Sequence, residues 1–199
     1  MDKLHGMTDE ELALSYVNGN NKAFDLLLSR TQSKLFSYIL FVVHDRDRAD
    51  DVFQETFVKA IAKLHEGKYA TTGKFLAWLM RIAHNVIMDN YRENRSKGTV
   101  DVAGDNDLSN ISSESLLDSN IESEYVNTQV LSDVKKMMNM LPTPQREVVF
   151  MRYYQNMAFK EIAEVTGVSI NTSLGRMRYA LLNMRRMARD NKLSLEMMD

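Results

Sequence analysis

Cysteine is missing from this sequence of 199 residues. Its absence excludes disulfides and thiolate metal sites and suits a reducing compartment. Proline occurs twice and glycine eight times. With so few helix breakers, and with alanine, leucine and methionine common, the composition favours helices over strands. Long apolar runs are missing too. No window reaches the roughly eighteen uncharged apolar residues that a membrane span needs, so none is expected. The opening MDKLHGMTDEE lacks the apolar core of a secretion signal, and a cytoplasmic location is expected. The four histidines, His5, His44, His65 and His84, are scattered without metal-ligand spacing. No carboxylate pair and no phosphate-cradling glycine loop appears. Intrinsic catalysis, a cofactor and a bound metal are therefore not expected.

Positive charge is missing from one long acidic stretch. Residues 98–131 hold no Lys or Arg and 7 acidic residues. Residues 1–97 are nearly neutral, with 14 basic and 13 acidic side chains, whereas residues 132–192 carry 11 basic and 5 acidic ones. The overall formal charge of −2 thus hides a basic C-terminal block behind an acidic connector. Local charge, more than the total, sets attraction to a phosphate backbone.

Periodicity places the elements. Thr8 begins a capping box with Glu11, and Asn18-Gly19-Asn20-Asn21 breaks the helical pattern. An apolar face resumes from Ala23 to Val43, and Asp45–Asp51 reads as a charged junction. Val52, Phe53, Phe57, Ala60 and Leu64 mark a fresh helix. EGKYATTG, residues 66–73, is loop-like. A long helix from Lys74 to about Arg95 follows, burying Phe75, Leu79, Ile82, Ala83 and Val86; Trp78 lies on the same apolar face and is assigned to the core. Residues 98–121, rich in serine, aspartate and asparagine, read as a flexible acidic linker. Helix resumes near Glu122 and stops at Leu141. Thr143 is placed to cap the next helix, with Pro144 at its first position.

The segment Ala158–Arg189 then reads as two helices around a tight turn. Gly167 suits the left-handed residue that ends the first, and Ser169 can cap the second. Ile170, Leu174, Met177 and Leu181 recur at spacings of three and four and are assigned to the buried face. This layout fits a helix-turn-helix and equally a helical hairpin with a solvated basic face. The basic bias of the block favours DNA. The expected fold is all-α: two small helical domains, 1–97 and 122–192, joined by the linker, with the helix-turn-helix in the second.

Three segments in this order resemble an RNA polymerase sigma factor of the extracytoplasmic-function (ECF) type. RADDVFQETFVKAI (48–61) is similar to the family's polymerase-docking helix, FLAWLMRIAHNVIMDNYR (75–92) to its −10 helix, and residues 141–186 to its −35 reader. The resemblance implies that the chain binds core RNA polymerase on the clamp of the largest subunit, recognises −35 and −10 promoter elements and promotes transcription initiation. It leaves open an anti-sigma factor as a further partner. It implies polymerase contacts from Asp50, Asp51, Gln54 and Glu55. The loop at 66–73 resembles the loop that captures an extruded base, which assigns −10 contacts to Lys68, Tyr69, Thr72 and Lys74. The adjoining helix adds Arg81, His84, Asn85 and Arg92. For the −35 element it implies Ser169, Asn171, Thr172, Ser173, Gly175, Arg176, Arg178 and Tyr179, with backbone contacts also from Arg146, Arg152, Arg185 and Arg186. The chain departs from the family at Asn171-Thr172-Ser173-Leu174, where many members have Gly-Thr-Val and a basic residue. Ala158 also stands where a Ser or Thr cap is usual. An ordinary DNA-binding regulator with an N-terminal dimerisation or sensory domain is one competing reading; a helical interaction scaffold or anti-sigma-like partner with no DNA role is another, against which the basic C-terminal block argues.

Overall fold

A computed structural model describes residues 3–69, 73–96 and 133–190. The chain divides into two compact units, Met1–Asp107 and Leu108–Asp199. Among the described residues every regular element is helical, as the composition predicts. The expected linker at 98–121 lies outside the described residues, as does the first part of the helix expected from Glu122.

In unit 1 a 3₁₀ turn, Lys3–Gly6, leads into α1 (Asp9–Val17), α2 (Asn21–Val43), α3 (Arg46–His65) and α4 (Phe75–Ser96). The capping box forms as read: the Glu11 N–H donates to Thr8 Oγ1 at 3.3 Å, and the Thr8 N–H donates to Glu11 Oε2 at 2.7 Å. The break at Asn18–Asn20 is real, with Gly19 in the left-handed region at φ +95°. The charged run Asp45–Asp51 is not a junction. Asp45 accepts the Arg48 N–H at 2.9 Å and so caps α3, and the remaining charges ride on the first turns of that helix. The chain reverses one residue earlier, at His44, with φ 59°.

Leu12, Leu27, Leu35, Tyr38, Ile39, Leu79, Met80 and Ile87 are completely enclosed at the centre of unit 1. A chain of edge-to-face rings joins α2 to α3: Phe24 to Phe57 at 6.2 Å, Phe57 to Phe53 at 4.9 Å, and Phe53 to Phe36 at 5.7 Å. Each such pair adds roughly 0.5–1.5 kcal/mol beyond area burial.

Unit 2 contains a helical stretch over 133–139 (α5), then α6 (Thr143–Tyr153), α7 (Phe159–Thr166) and α8 (Ile170–Asp190). Thr143 does not cap α6. Pro142 holds the cap position, with φ −53° and ψ 140°, and Thr143 is already helical. Two prolines in this turn cost nothing, because the first N–H groups of a helix have no internal partner. Arg146 is buried rather than exposed, and its Nη1 donates to the Asn139 carbonyl at 3.1 Å. Arg152 ties α6 to α7: its Nη1 donates to the Met157 carbonyl at 3.0 Å, and its guanidinium lies 5.5 Å from the Phe159 ring centre. These two arginines serve the fold of unit 2. Asn183 of α8 donates to Gln145 of α6 at 2.9 Å.

The α7–α8 turn follows the sequence reading in one part and departs from it in another. Gly167 is left-handed at φ 66° and closes α7 on the Ala163 carbonyl. The buried face of α8, however, is Ser173, Met177, Ala180 and Ala188. Ile170, Leu174 and Leu181 are exposed. Met177 is buried as expected, and small side chains, Ser173 and Ala180, fill the positions beside Leu174 and Leu181 on the packed face.

Candidate nucleic-acid interface

The α8 end of the site begins at its cap. Ser169 Oγ accepts the Thr172 N–H at 3.0 Å and lies 2.8 Å from Thr172 Oγ1. This hydroxyl pair fixes the first turn of the helix and leaves both residues at the surface. Asn171, Gly175, Arg178 and Leu182 then follow at spacings of four, three and four, which aligns them in one ridge along the helix. Asn171, Arg178 and Leu182 are exposed on it. Tyr179, 62% exposed, stands beside that ridge. A Cβ added at Gly175 would meet nothing within 4 Å. The glycine is therefore not required by packing and leaves a notch between Asn171 and Arg178. Arg176 is half-buried, while Arg185 and Arg186 are exposed.

Ser173 is the exception in this set. It is 0% exposed and its hydroxyl has no hydrogen-bond partner among the described residues. A fully buried side chain cannot reach DNA, so the expected Ser173 contact does not hold. Leu182 is the outward residue that sequence reasoning missed. A leucine at helical spacing reads as core, and only its place in the ridge reveals it.

The half-capping of α7 also bears on this site. Ala158 has no acceptor, so its side chain gives nothing to the helix end. Glu161 supplies the other half of the box by accepting the Ala158 N–H at 2.7 Å.

In unit 1, Lys74, Trp78, Arg81, Asn85 and Arg92 recur on one stripe of α4. Arg81, Asn85 and Arg92 are exposed and Lys74 is half-buried. Arg92 pairs with Asp89 at 3.0 Å. Trp78 is half-buried on the same stripe, in a cluster with Tyr69 at 4.8 Å and Phe75 at 5.4 Å. It is thus neither fully core nor a free platform. His84 is off the stripe. It is 9% exposed, and its Nδ1 lies 3.4 Å from the Tyr38 hydroxyl inside the unit. This removes His84 from the DNA-facing set: one position away from Asn85 on a helix is a turn of about 100°.

The loop before α4 is described at both ends, and Thr72 falls outside the described residues. Lys68 is exposed and pairs with Glu66 at 2.7 Å, which holds the Glu66 carboxyl below its ordinary pKa. Tyr69 is half-buried and donates from its hydroxyl to Glu10 Oε1 at 3.2 Å. Burial, and after it the Glu10 charge, push this phenol above its ordinary pKa. The phenol therefore remains a donor at neutral pH. Glu10 had no signal in the sequence, being separated from Tyr69 by 59 positions.

On α3, Asp51 and Gln54 are exposed, while Asp50 and Glu55 are half-buried at the flanks. Glu55 pairs with Lys59 at 2.7 Å. Val58 continues the Asp51–Gln54 stripe and is 67% exposed. An apolar side chain among acidic and amide groups is the second residue that sequence reasoning passed over.

Fold and surface together define an all-helical DNA-binding protein of two units. Residues 27–97 match the model for sigma-70 region 2, and residues 131–178 match that for sigma-70 region 4. The chain belongs to the sigma-70 family of RNA polymerase sigma factors. It is 29% identical over 173 residues to the RNA polymerase sigma-H factor of Pseudomonas aeruginosa, spanning 82% of this chain and 85% of the relative. It is 28% identical over 174 residues to the ECF RNA polymerase sigma factor SigC of Mycobacterium tuberculosis, spanning 86% and 88%. The solved structure of CnrH in complex with the cytosolic domain of CnrY is similar at 25% identity with a TM-score of 0.63, covering 92% of this chain and 97% of that one. Among the described residues no helix is long and apolar enough to cross a membrane.

Proposed function

We propose that this chain is an ECF-type sigma subunit that binds core RNA polymerase, reads a −35 and a −10 element and promotes transcription initiation. The observation that carries the reading is the order of the two family regions, 2 then 4, on one short chain. The geometry supports a division of roles. The ridge Asn171–Arg178 with Tyr179 reads the −35 element, with Arg178 suited to a paired contact on guanine. Ser169 and Thr172 at the helix start, with Arg176, Arg185 and Arg186, hold phosphates. In unit 1 the Lys74–Arg92 stripe and the Lys68–Tyr69 end of the loop engage the −10 element. The accessible parts of the half-buried Tyr69 and Trp78 rings offer an aromatic edge for an unstacked base.

The α3 face, Asp51 and Gln54 around Val58 with Asp50 and Glu55 at its edges, docks on the polymerase clamp. Acidic and amide groups there give specificity and encounter rate, and a central apolar residue gives the buried contact. The chain performs no chemistry of its own and works in the cytoplasm with the polymerase. An anti-sigma factor is a further protein partner in this reading.

Reconstitution with core RNA polymerase tests the proposal. Promoter-specific run-off transcripts are expected only when this chain is added. Tight binding to duplex DNA by the chain alone, with core polymerase left unchanged, would make it an ordinary DNA-binding regulator instead.

A further inference from the structure

One oxygen in unit 1 reaches both ends of the loop that precedes α4. Glu10 Oε1 accepts from the Tyr69 hydroxyl at 3.2 Å and from the Phe75 N–H at 3.1 Å. Tyr69 stands in the loop after α3, and Phe75 is the first residue of α4. The same helix, α1, also touches the end of α3, where the Tyr16 ring lies edge-on to His65 at 5.3 Å. Helix α1 thus meets α3, the loop and α4 in turn.

That helix is itself firmly held. Leu12 and Ala13 are buried in the core. Arg30 of α2 donates to the carbonyls of Met7 and His5 at 2.7 and 2.9 Å and to Asp9 Oδ1 at 3.2 Å. On its other side the Tyr69 ring packs against Trp78 at 4.8 Å and Phe75 at 5.5 Å. These tilted and edge-on ring contacts and the carboxylate hold Tyr69 from two sides. The carboxylate also sits at the start of α4, where a negative charge is favoured by the helix dipole. Its two donors are part-buried, and leaving them unpaired would be costly.

We infer that Glu10 is a positioning residue for −10 recognition: without touching DNA, it holds Tyr69 and the start of α4 in the geometry that base capture requires. Glu10 lies outside the segment 27–97 that matches region 2, so a residue beyond that region governs how the region reads DNA. The inference rests on the proposed −10 role of this loop.

The test uses the full chain reconstituted with core polymerase on a promoter library randomised through the −10 element. Templates that yield transcript are sequenced. For Glu10→Ala, which removes both bonds, enrichment of the preferred base at the captured position falls about tenfold or more, the scale of a lost charge-assisted hydrogen bond. Dependence on the −35 element stays at the parent level. Glu10→Gln keeps an acceptor oxygen and retains most of the discrimination. Tyr69→Phe keeps the ring contacts, loses one bond and shows part of the same loss.

A parent-like enrichment profile in both Glu10→Ala and Tyr69→Phe overturns the inference. So does a uniform loss of transcript from every template, which marks a purely structural role. If Glu10→Ala fails to fold, Glu10→Asp, which shortens the reach of the carboxylate by one methylene, decides against the parent by the same profile. Should the parent itself give no promoter-specific transcript, the sigma reading fails first and this inference with it; failure of the inference alone appears against an active parent.

Discussion

The two surfaces proposed to face DNA differ in how far their side chains are already engaged. In unit 2 the outward residues of α8 are uncommitted: Arg178 and Tyr179 are exposed and make no side-chain hydrogen bond or ion pair among the described residues. In unit 1 three of the corresponding groups are already engaged. Tyr69 is bonded to Glu10, Lys68 to Glu66 and Arg92 to Asp89. A surface that reads an intact groove needs side chains able to extend to base edges. A surface that receives an unstacked base gains from being formed beforehand, because ordering it on binding would cost entropy. The contrast fits the proposed division of labour between reading duplex and holding a melted strand.

The contrast breaks most visibly at Arg178. Arg178→Ala is expected to cut −35-dependent promoter binding by about tenfold to a hundredfold, the value of one paired base contact. The melting temperature should not move, since Arg178 has no part in the packing. Electrophoretic mobility shifts of the holoenzyme, with calorimetry of the chain alone, measure both. Next is Ser173→Ala. Removing a buried hydroxyl that lacks a partner is expected to stabilise unit 2 by about 1 kcal/mol or more, while promoter binding is unchanged. A loss of binding would restore Ser173 to the contact set.

Gly175→Ala separates fold from reading. Alanine in a helix interior is favoured by about 0.5–1 kcal/mol, and nothing opposes the added Cβ. Thermal stability should rise, and promoter binding should fall if DNA occupies the notch. Equal binding would show that the notch is empty in the complex. Ala158→Thr completes the capping box at α7 and should add about 0.5–1 kcal/mol; no rise in melting temperature would mean that Glu161 already supplies all the box can give.

The smallest effect lies in unit 1 at alkaline pH. Tyr69 has a pKa raised in the folded state, so its contribution is complete below the unfolded value near ~10 and is lost as pH rises through the folded value. Thermal melts of the parent should decline faster above that pH than those of Tyr69→Phe.

What could be read from the sequence was mostly local. Thr8 with Glu11, Gly167, and Ser169 with Thr172 act within four positions of one another, so their chemistry is visible in the chain itself. The phase of α8 was not visible. Leucine and methionine crowd this helix, several faces look apolar, and the decision falls to close packing that selects Ser173 and Ala180 over Leu174 and Leu181. His84 and Arg146 were misplaced for a related reason. A polar side chain was assigned to the surface, but each has a buried partner, Tyr38 and the Asn139 carbonyl. The Glu10 bridge depends on a fold that brings distant positions together, and no spacing rule reports it.

The small side chains that seat α8 have a further consequence. Ser173, Ala180 and Ala188 hold the helix in place, so its outward residues carry no folding duty. Asn171, Arg178 and Tyr179 are then free to drift without endangering the scaffold. A gene duplicate of this chain could acquire a different promoter preference through single substitutions, each tolerated as it arises.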